Sequence, residues 1–222
     1  MGTAGSGKST VIRSLISDYI RLNQDSVYCW LSEESIVELQ EGMGRLGVDD
    51  DDLSKLIIES ELDDPDSTAR DIVERVLLTG AKILIIDNIT TSRFYMDKKI
   101  SEQSVFITSL KKLAAKHDLA IILVAHTRKD IHDNFGKLIT ENDIRGCSSV
   151  VNMAHFFYVL QRFKTNGNYY PTLRILKHRG YAIEETMYFL QFDMESLSYS
   201  GDLAITFDIF KKNFKGRDNL NG

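Results

Sequence analysis

The sequence predicts an α/β fold: a mostly parallel central sheet flanked by helices, with a small antiparallel extension toward the C-terminus. Three observations predict it. Gly2-Thr3-Ala4-Gly5-Ser6-Gly7-Lys8-Ser9 fits the phosphate-loop pattern G-x-x-x-x-G-K-[ST] at every fixed position and runs straight into a helical pattern. Lys82-Ile83-Leu84-Ile85-Ile86-Asp87 is an apolar run ending in an acid, which is how a buried parallel strand reaches a ligand-bearing edge. Between and after them, short runs rich in β-branched and aromatic residues alternate with amphipathic helical stretches. Residues 1–200 are expected to form one domain and 201–222 a tail.

The elements follow in order. Ser9 to Asn23 reads as a helix, with Val11, Ile12, Leu15, Ile16, Tyr19 and Ile20 at helical spacing. Its N-terminus faces the phosphate loop, where backbone N–H groups and the macrodipole favour an anion. Ser26 to Leu31 reads as a buried strand, 35–46 as a helix, 56–59 as a short strand and 67–78 as a helix. That last helix is capped by Asp66 or Ser67 and stopped by Gly80. Residues 82–87 are the central strand, 90–100 a polar loop, 102–117 a helix and 119–125 another buried strand. A long charged loop over 127–142 leads to Asp143-Ile144-Arg145-Gly146 and a short helix through Met153. Strands at 155–160, 172–177, 187–192 and 197–199 complete the antiparallel region. A phosphate loop normally follows a buried strand, yet only Met1 precedes Gly2. The expectation is a piece of a longer protein, because a sheet lacking a central strand leaves its neighbours with unpaired backbone groups.

At 222 residues and 43% hydrophobic content, the chain is long enough for one sizeable core. No apolar run is long enough to span a bilayer, and the start has no signal-peptide pattern, so no membrane partner is expected. The cysteines, Cys29 in a strand and Cys147 in a polar loop, read as free thiols of a reducing compartment. A net charge of −5 argues weakly against a nucleic-acid binder, since local basic loops repeated by symmetry suffice to grip one strand. The acidic runs 49–52 and 59–66 read as solvated loops without a metal role.

Chemistry concentrates at the strand ends. In the phosphate loop, Gly2, Gly5 and Gly7 let the backbone close around a phosphate, with Ser6 and Thr10 beside it. Lys8 supplies a point charge to the β- and γ-phosphates, and the Ser9 hydroxyl is placed for Mg²⁺. Glu33 and Glu34 follow the 26–31 strand, where one of them can activate water; the alternative is ordinary helix capping, with Ser32 as the N-cap and the acids in the first turn. Asp87 is a candidate Mg²⁺-side acid. Its successor is Asn88 rather than an acid, which shifts the catalytic role toward Glu33. His126 ends its strand and is open to either a phosphate-reading or a structural role. The loop beyond it, with Arg128, Lys129 and Lys137, suits a phosphodiester backbone or plain solvent exposure.

In this order the motifs resemble the ATPase domain of hexameric replicative helicases of the DnaB-like, RecA-like class, closest to the phage primase–helicase type and its mitochondrial relative. The resemblance covers about residues 2–199. It implies a RecA-like P-loop fold that binds ATP and Mg²⁺, with Glu33 as catalytic base and Asp87 on the Mg²⁺ side. His126 matches the γ-phosphate and DNA sensor; the bacterial branch carries Gln there, which favours the phage branch. Arg145 and Gly146 match a DNA-contact motif, although the family's second basic residue there falls on Val151. Arg162 and Phe192 match positions that pack on either side of the nucleotide base. Leu176-Lys177-His178-Arg179 resembles the arginine-finger strand, so Arg179, with Lys177, would act on nucleotide held by a neighbouring subunit.

The resemblance further implies single-stranded DNA as partner, a homo-oligomeric ring, a hexamer by preference, and a primase domain or protein as a possible associate. It implies the cytoplasm of a bacterium or phage-infected cell, with the mitochondrial matrix less favoured. No upstream ring-locking helix and no primase or zinc-binding segment stands in this sequence. Two rivals stay open: a RecA-like recombinase or filament ATPase, and a nucleotide-dependent loader or switch with little hydrolysis.

Overall fold

The computed structural model describes residues 1–2, 5–128, 138–165, 168–180, 186–193 and 198–206; side chains are described for these except at 164–165, 168–169, 186, 192–193 and 198–206. Four parallel strands form the first sheet: β1 (Val27–Leu31), β2 (Leu56–Ser60), β3 (Ile83–Asp87) and β4 (Ala120–Leu123), in the order β2-β1-β3-β4. All five residues of β1 and the first four of β3 are buried, as central strands covered on both faces require.

Helices cover both faces. On one side α1 (Lys8–Asn23) and α2 (Ile36–Arg45) pack Ile16, Ile20, Leu39 and Met43 onto Val27, Cys29, Leu31, Ile83 and Ile85. On the other, α4 (Ala69–Thr79), α5 (Arg93–Met96) and α6 (Ile100–His117) cover Tyr28, Trp30, Leu84 and Ile86. There Phe94 meets Trp30 edge-on at 6.1 Å and Phe106 at 5.5 Å. The short α3 (Asp50–Leu53) precedes β2, and α7 (Ser149–Met153) leads into the second sheet. That sheet is antiparallel, in the order β5 (Phe156–Thr165), β6 (Asn168–His178), β7 (Thr186–Asp193), β8 (Ser198–Thr206).

Met1 and Gly2 lie between the two sheets. Gly2 bridges in parallel to His126 on one side and Leu160 on the other. Gly2 N–H donates to the Ala125 carbonyl at 3.1 Å, and Leu160 N–H to the Met1 carbonyl at 2.8 Å. The Met1 amino group donates to the Tyr158 carbonyl at 2.8 Å. Burial, reinforced by the Lys8 ammonium, pushes that amino group down to about 5. Two residues therefore take the position of a strand between β4 and β5.

Several expectations need correction. The acidic run 49–52 contains α3, capped by Asp49. Glu61, expected in a solvated loop, is 7% exposed and caps α5 by accepting from Arg93 N–H at 2.8 Å. Glu59, from the same stretch, pairs with Arg75. The cap of α4 is Thr68, in a reciprocal box with Asp71, rather than Asp66 or Ser67. The 90–100 stretch is not a polar loop: it holds α5, and Thr90, Ser92 and Tyr95 are buried. Cys147 is likewise buried, and both thiols are free. β4 is only half-buried, with Ala120 exposed, because no full strand lies against its outer edge among the described residues. The last strand runs on to Thr206 instead of ending near 199.

Candidate active site

The phosphate loop enters α1 through Gly7, whose φ of 88° lies in the left-handed region that favours glycine. Gly5 has a φ of 70° for the same reason. A Cβ on Gly2 would collide with the Leu160 carbonyl and the Ser6 hydroxyl, so the loop start is shaped for glycine. Ser6 is buried, and its Oγ has no hydrogen-bond partner among the described residues. Thr10 follows in the first turn of α1, where its carbonyl accepts from Ser14 Oγ. Lys8 is 7% exposed. Burial lowers its affinity for a proton, while the nearby Asp87 and Glu33 carboxylates oppose that shift.

Three strand ends meet this loop. Ser9 Oγ donates to Asp87 Oδ2 at 3.0 Å. Burial raises the Asp87 carboxyl above its ordinary range, against the Ser9 hydrogen bond and Lys8. A hydroxyl and a carboxylate side by side at the loop are the hard oxygen donors that Mg²⁺ takes, with phosphate and water completing its shell. Glu33, just past β1, is half exposed, and its carboxylate lies 3.2 Å and 3.3 Å from His126 Nε2. The two residues treated separately in sequence thus meet in space.

A buried polar network joins these strand ends. Ser32 Oγ donates to the Asn88 carbonyl at 2.9 Å and lies 2.6 Å from Thr91 Oγ1. Asn88 Oδ1 accepts from Thr90 N–H at 2.9 Å and Thr90 Oγ1 at 2.7 Å. Thr90 Oγ1 in turn accepts from His126 N–H at 2.9 Å. The network touches a neighbour of Glu33, a neighbour of Asp87, and His126 itself; the Asp87–Asn88 peptide is cis. Ser32, an N-cap candidate in sequence, belongs to this network instead, and the cap of α2 is Ser35, whose Oγ accepts from Glu38 N–H at 3.3 Å; nothing in the sequence gives Asn88 or Thr90 a role. The local signal is the hydroxyl run Thr90-Thr91-Ser92, which starts three residues past the strand-end Asp87.

His126 also connects to the basic segments. Arg145 N–H donates to the His126 carbonyl at 3.0 Å, and Thr127 bridges antiparallel to Ile144. Arg128 N–H donates to the Asp143 carbonyl at 2.9 Å, and its Nε to the Ile144 carbonyl at 3.3 Å. Arg128 and Arg145 are therefore neighbours. Gly146 has a φ of 98° and a Cβ position 3.2 Å from the Tyr95 ring. Lys129 and Lys137 lie outside the described residues, as does the side chain of Phe192 on β7.

Arg162 reaches the loop directly, its Nη1 donating to the Gly5 carbonyl at 2.5 Å. Lys177 and Arg179 lie elsewhere. Lys177 Nζ donates to the Val151 and Asn152 carbonyls at 2.7 Å and 3.1 Å, and Arg179 Nη2 to Asn152 at 2.8 Å. These carbonyls end α7, where a cation suits the exposed carbonyl dipoles. Arg179 is exposed. Its N–H pairs with His155, five residues before the Leu160 that flanks Gly2. At about 3.3 Å per residue the finger candidate lies roughly 17 Å down the strands from the loop entry.

No family model and no curated protein sequence matches this sequence. The fold is similar to the crystal structure of a KaiC-like protein from the hyperthermophilic archaeon Pyrococcus horikoshii, with a TM-score of 0.69 and 18% identity over 91% of this chain and 87% of that one. The architecture is thus RecA-like, a parallel four-stranded sheet between helices with a small antiparallel sheet beside it.

Proposed function

We propose that the chain is an ATP-hydrolysing motor domain of the replicative DNA-helicase kind, working as a ring of identical copies on single-stranded DNA. One observation carries the reading: the chemistry is divided between two ends of the molecule. The phosphate loop, Glu33, Asp87 and His126 gather at one end, whereas Arg179 is exposed at the other. A cation roughly 17 Å from its own loop can act only on another copy's nucleotide. Copies joined head to tail place the donor of one against the loop of the next, and such contacts close into rings or run on as filaments.

The mechanism follows from the side chains. Lys8 and the loop N–H groups hold the phosphates. Ser9 and Asp87 would hold Mg²⁺, which supplies positive charge at the phosphate oxygens. Glu33 orients the attacking water and accepts its proton. Arg179 of the next copy neutralises charge that develops on the transferred phosphoryl group. His126 reads the γ-phosphate through its imidazole and passes the state along its backbone to Arg128 and Arg145, which grip the DNA backbone. Hydrolysis is thereby converted into loop movement. Arg162 and Phe192 complete the nucleotide surroundings within the copy, Lys177 joins Arg179 in reaching the next copy's nucleotide, and Lys129 and Lys137 extend the DNA grip. A primase domain or protein as associate, and the cytoplasm of a bacterium or phage-infected cell, belong to the same reading.

The test combines light scattering, with a non-hydrolysable ATP analogue and oligo-dT, with ATP turnover and strand displacement. A nucleotide-dependent ring with DNA-stimulated turnover and strand displacement supports the motor. Assembly without stimulated turnover points to a loader or switch, and strand exchange without displacement to a recombinase.

A further inference from the structure

Glu34 is an acid that the mechanism leaves unused, and it is held more tightly than Glu33. Its carboxylate accepts a charge-assisted hydrogen bond from Arg13 Nη2, and its carbonyl accepts from Ser60 Oγ at 3.1 Å. Arg13 stands on α1 one helical turn beyond Ser9, so it projects from the same side of the helix as the metal-side hydroxyl. Its side chain is 26% exposed against 49% for Glu33, and its Nε is buried without a hydrogen-bond partner.

The opposing helix makes room for this contact. A Cβ on Gly42 of α2 would lie 2.8 Å from Arg13 Nε and 2.9 Å from its Cζ. Gly44, two residues on, would meet nothing within 4 Å. A glycine that weakens a helix interior is thus matched at position 42 by a guanidinium occupying the space.

We propose that Arg13 and Glu34 form a positioning clamp that ties the end of β1 to the phosphate-loop helix and thereby aims Glu33 at the reacting water. The inference rests on the motor reading and deepens it. Two adjacent carboxylates beside a triphosphate would both repel it. Pairing Glu34 with Arg13 cancels one charge and turns that side chain toward α1, leaving Glu33 as the one acid of this pair that faces the phosphates. Among the described residues, the hydrogen-bond partner of the Glu33 carboxylate is the His126 ring, so its aim depends on how its backbone is anchored.

The test uses Arg13→Ala, Glu34→Gln and the double variant, with Glu33→Gln as reference. One readout is steady-state ATP turnover with single-stranded DNA. Each single variant is expected to lower kcat about tenfold while KM moves less than about threefold, and the double variant to be no worse than the poorer single. The other readout is the NMR signal of the His126 imidazole at fixed pH, which is expected to move in each variant as it does in Glu33→Gln. Unchanged kcat, or losses that multiply in the double variant, overturn the clamp. Should the unmutated chain fail to turn over ATP, the motor reading falls, and the imidazole signal alone decides the clamp: movement supports it, no movement sinks it. Should Arg13→Ala fail to fold, the near-isosteric Glu34→Gln carries both readouts.

Discussion

The two ends of this molecule handle charge in opposite ways. At the loop end, Lys8 is buried, Asp87 is held by Ser9, and Arg13 is held by Glu34. At the far end, Lys177 and Arg179 rest on backbone carbonyls of α7, with Arg179 exposed. A buried constellation is rigid, and breaking it costs stability as well as chemistry. An exposed cation on a helix terminus costs little to hold and little to release. On the motor reading proposed above, the difference separates residues that bind for their own copy from one that serves another.

The strongest test of that contrast is Arg179→Ala. DNA-stimulated turnover of the assembled protein is expected to fall about 10³-fold or more, while nucleotide affinity of the isolated copy stays within about twofold. Mixing Arg179→Ala with Glu33→Gln copies should recover turnover, since some interfaces then pair an intact loop site with an intact donor. No recovery would place both groups in one copy's site.

Next in size, Glu33→Gln should lower turnover about 10²- to 10³-fold with ATP still bound, measured by fluorescent-nucleotide titration. Equal loss of binding would mean the carboxylate holds the ground state rather than the water.

Stability sharpens the comparison further. Thr90→Val removes a hydroxyl that donates to Asn88 and accepts from His126 N–H, leaving buried groups unpaired. Urea denaturation should show a loss of about 1–3 kcal/mol, against less than about 0.5 kcal/mol for Arg179→Ala. Comparable losses would mean the far end is as tightly built as the loop end.

How much of this could be read from sequence depended on the range of the interaction. The phosphate loop, β1, β3 and α1 were legible because each rests on local spacing or an uninterrupted apolar run. The polar network was not. Thr90, Thr91 and Ser92 look solvated in sequence, but their hydroxyls are satisfied by Asn88 and, for Thr91, by Ser32, 59 residues away. Cys147 reads in sequence as a polar-loop residue, yet it is buried and its N–H reaches the Tyr95 hydroxyl across 52 residues. The Arg13–Glu34 pair is hidden similarly: it joins residues 21 apart, and the room for Arg13 comes from Gly42 on α2. The half-burial of β4 depends on what lies at its edge, which its own alternation does not record.

The gentlest expected effect is a slope with pH. The Met1 amino group is held near 5 in the folded chain, against about 8 when unfolded. Between those values the unfolded chain binds more protons, so this group's contribution to stability is present above about pH 8 and is lost as pH falls toward about 5. Acetylating the amino group should flatten that part of the thermal-stability profile; an unchanged slope would mean other groups set it.

Met1 and Gly2 also have a mechanical meaning. Among the described residues, the two sheets share ladder bonds only through this pair, like cloth joined by a single stitch. The same stitch is the first turn of thread in the loop that wraps the phosphates. A pull on that loop is therefore felt at His126 and at Leu160 together, so filling and emptying the cradle would tension or slacken the seam between the halves of the domain.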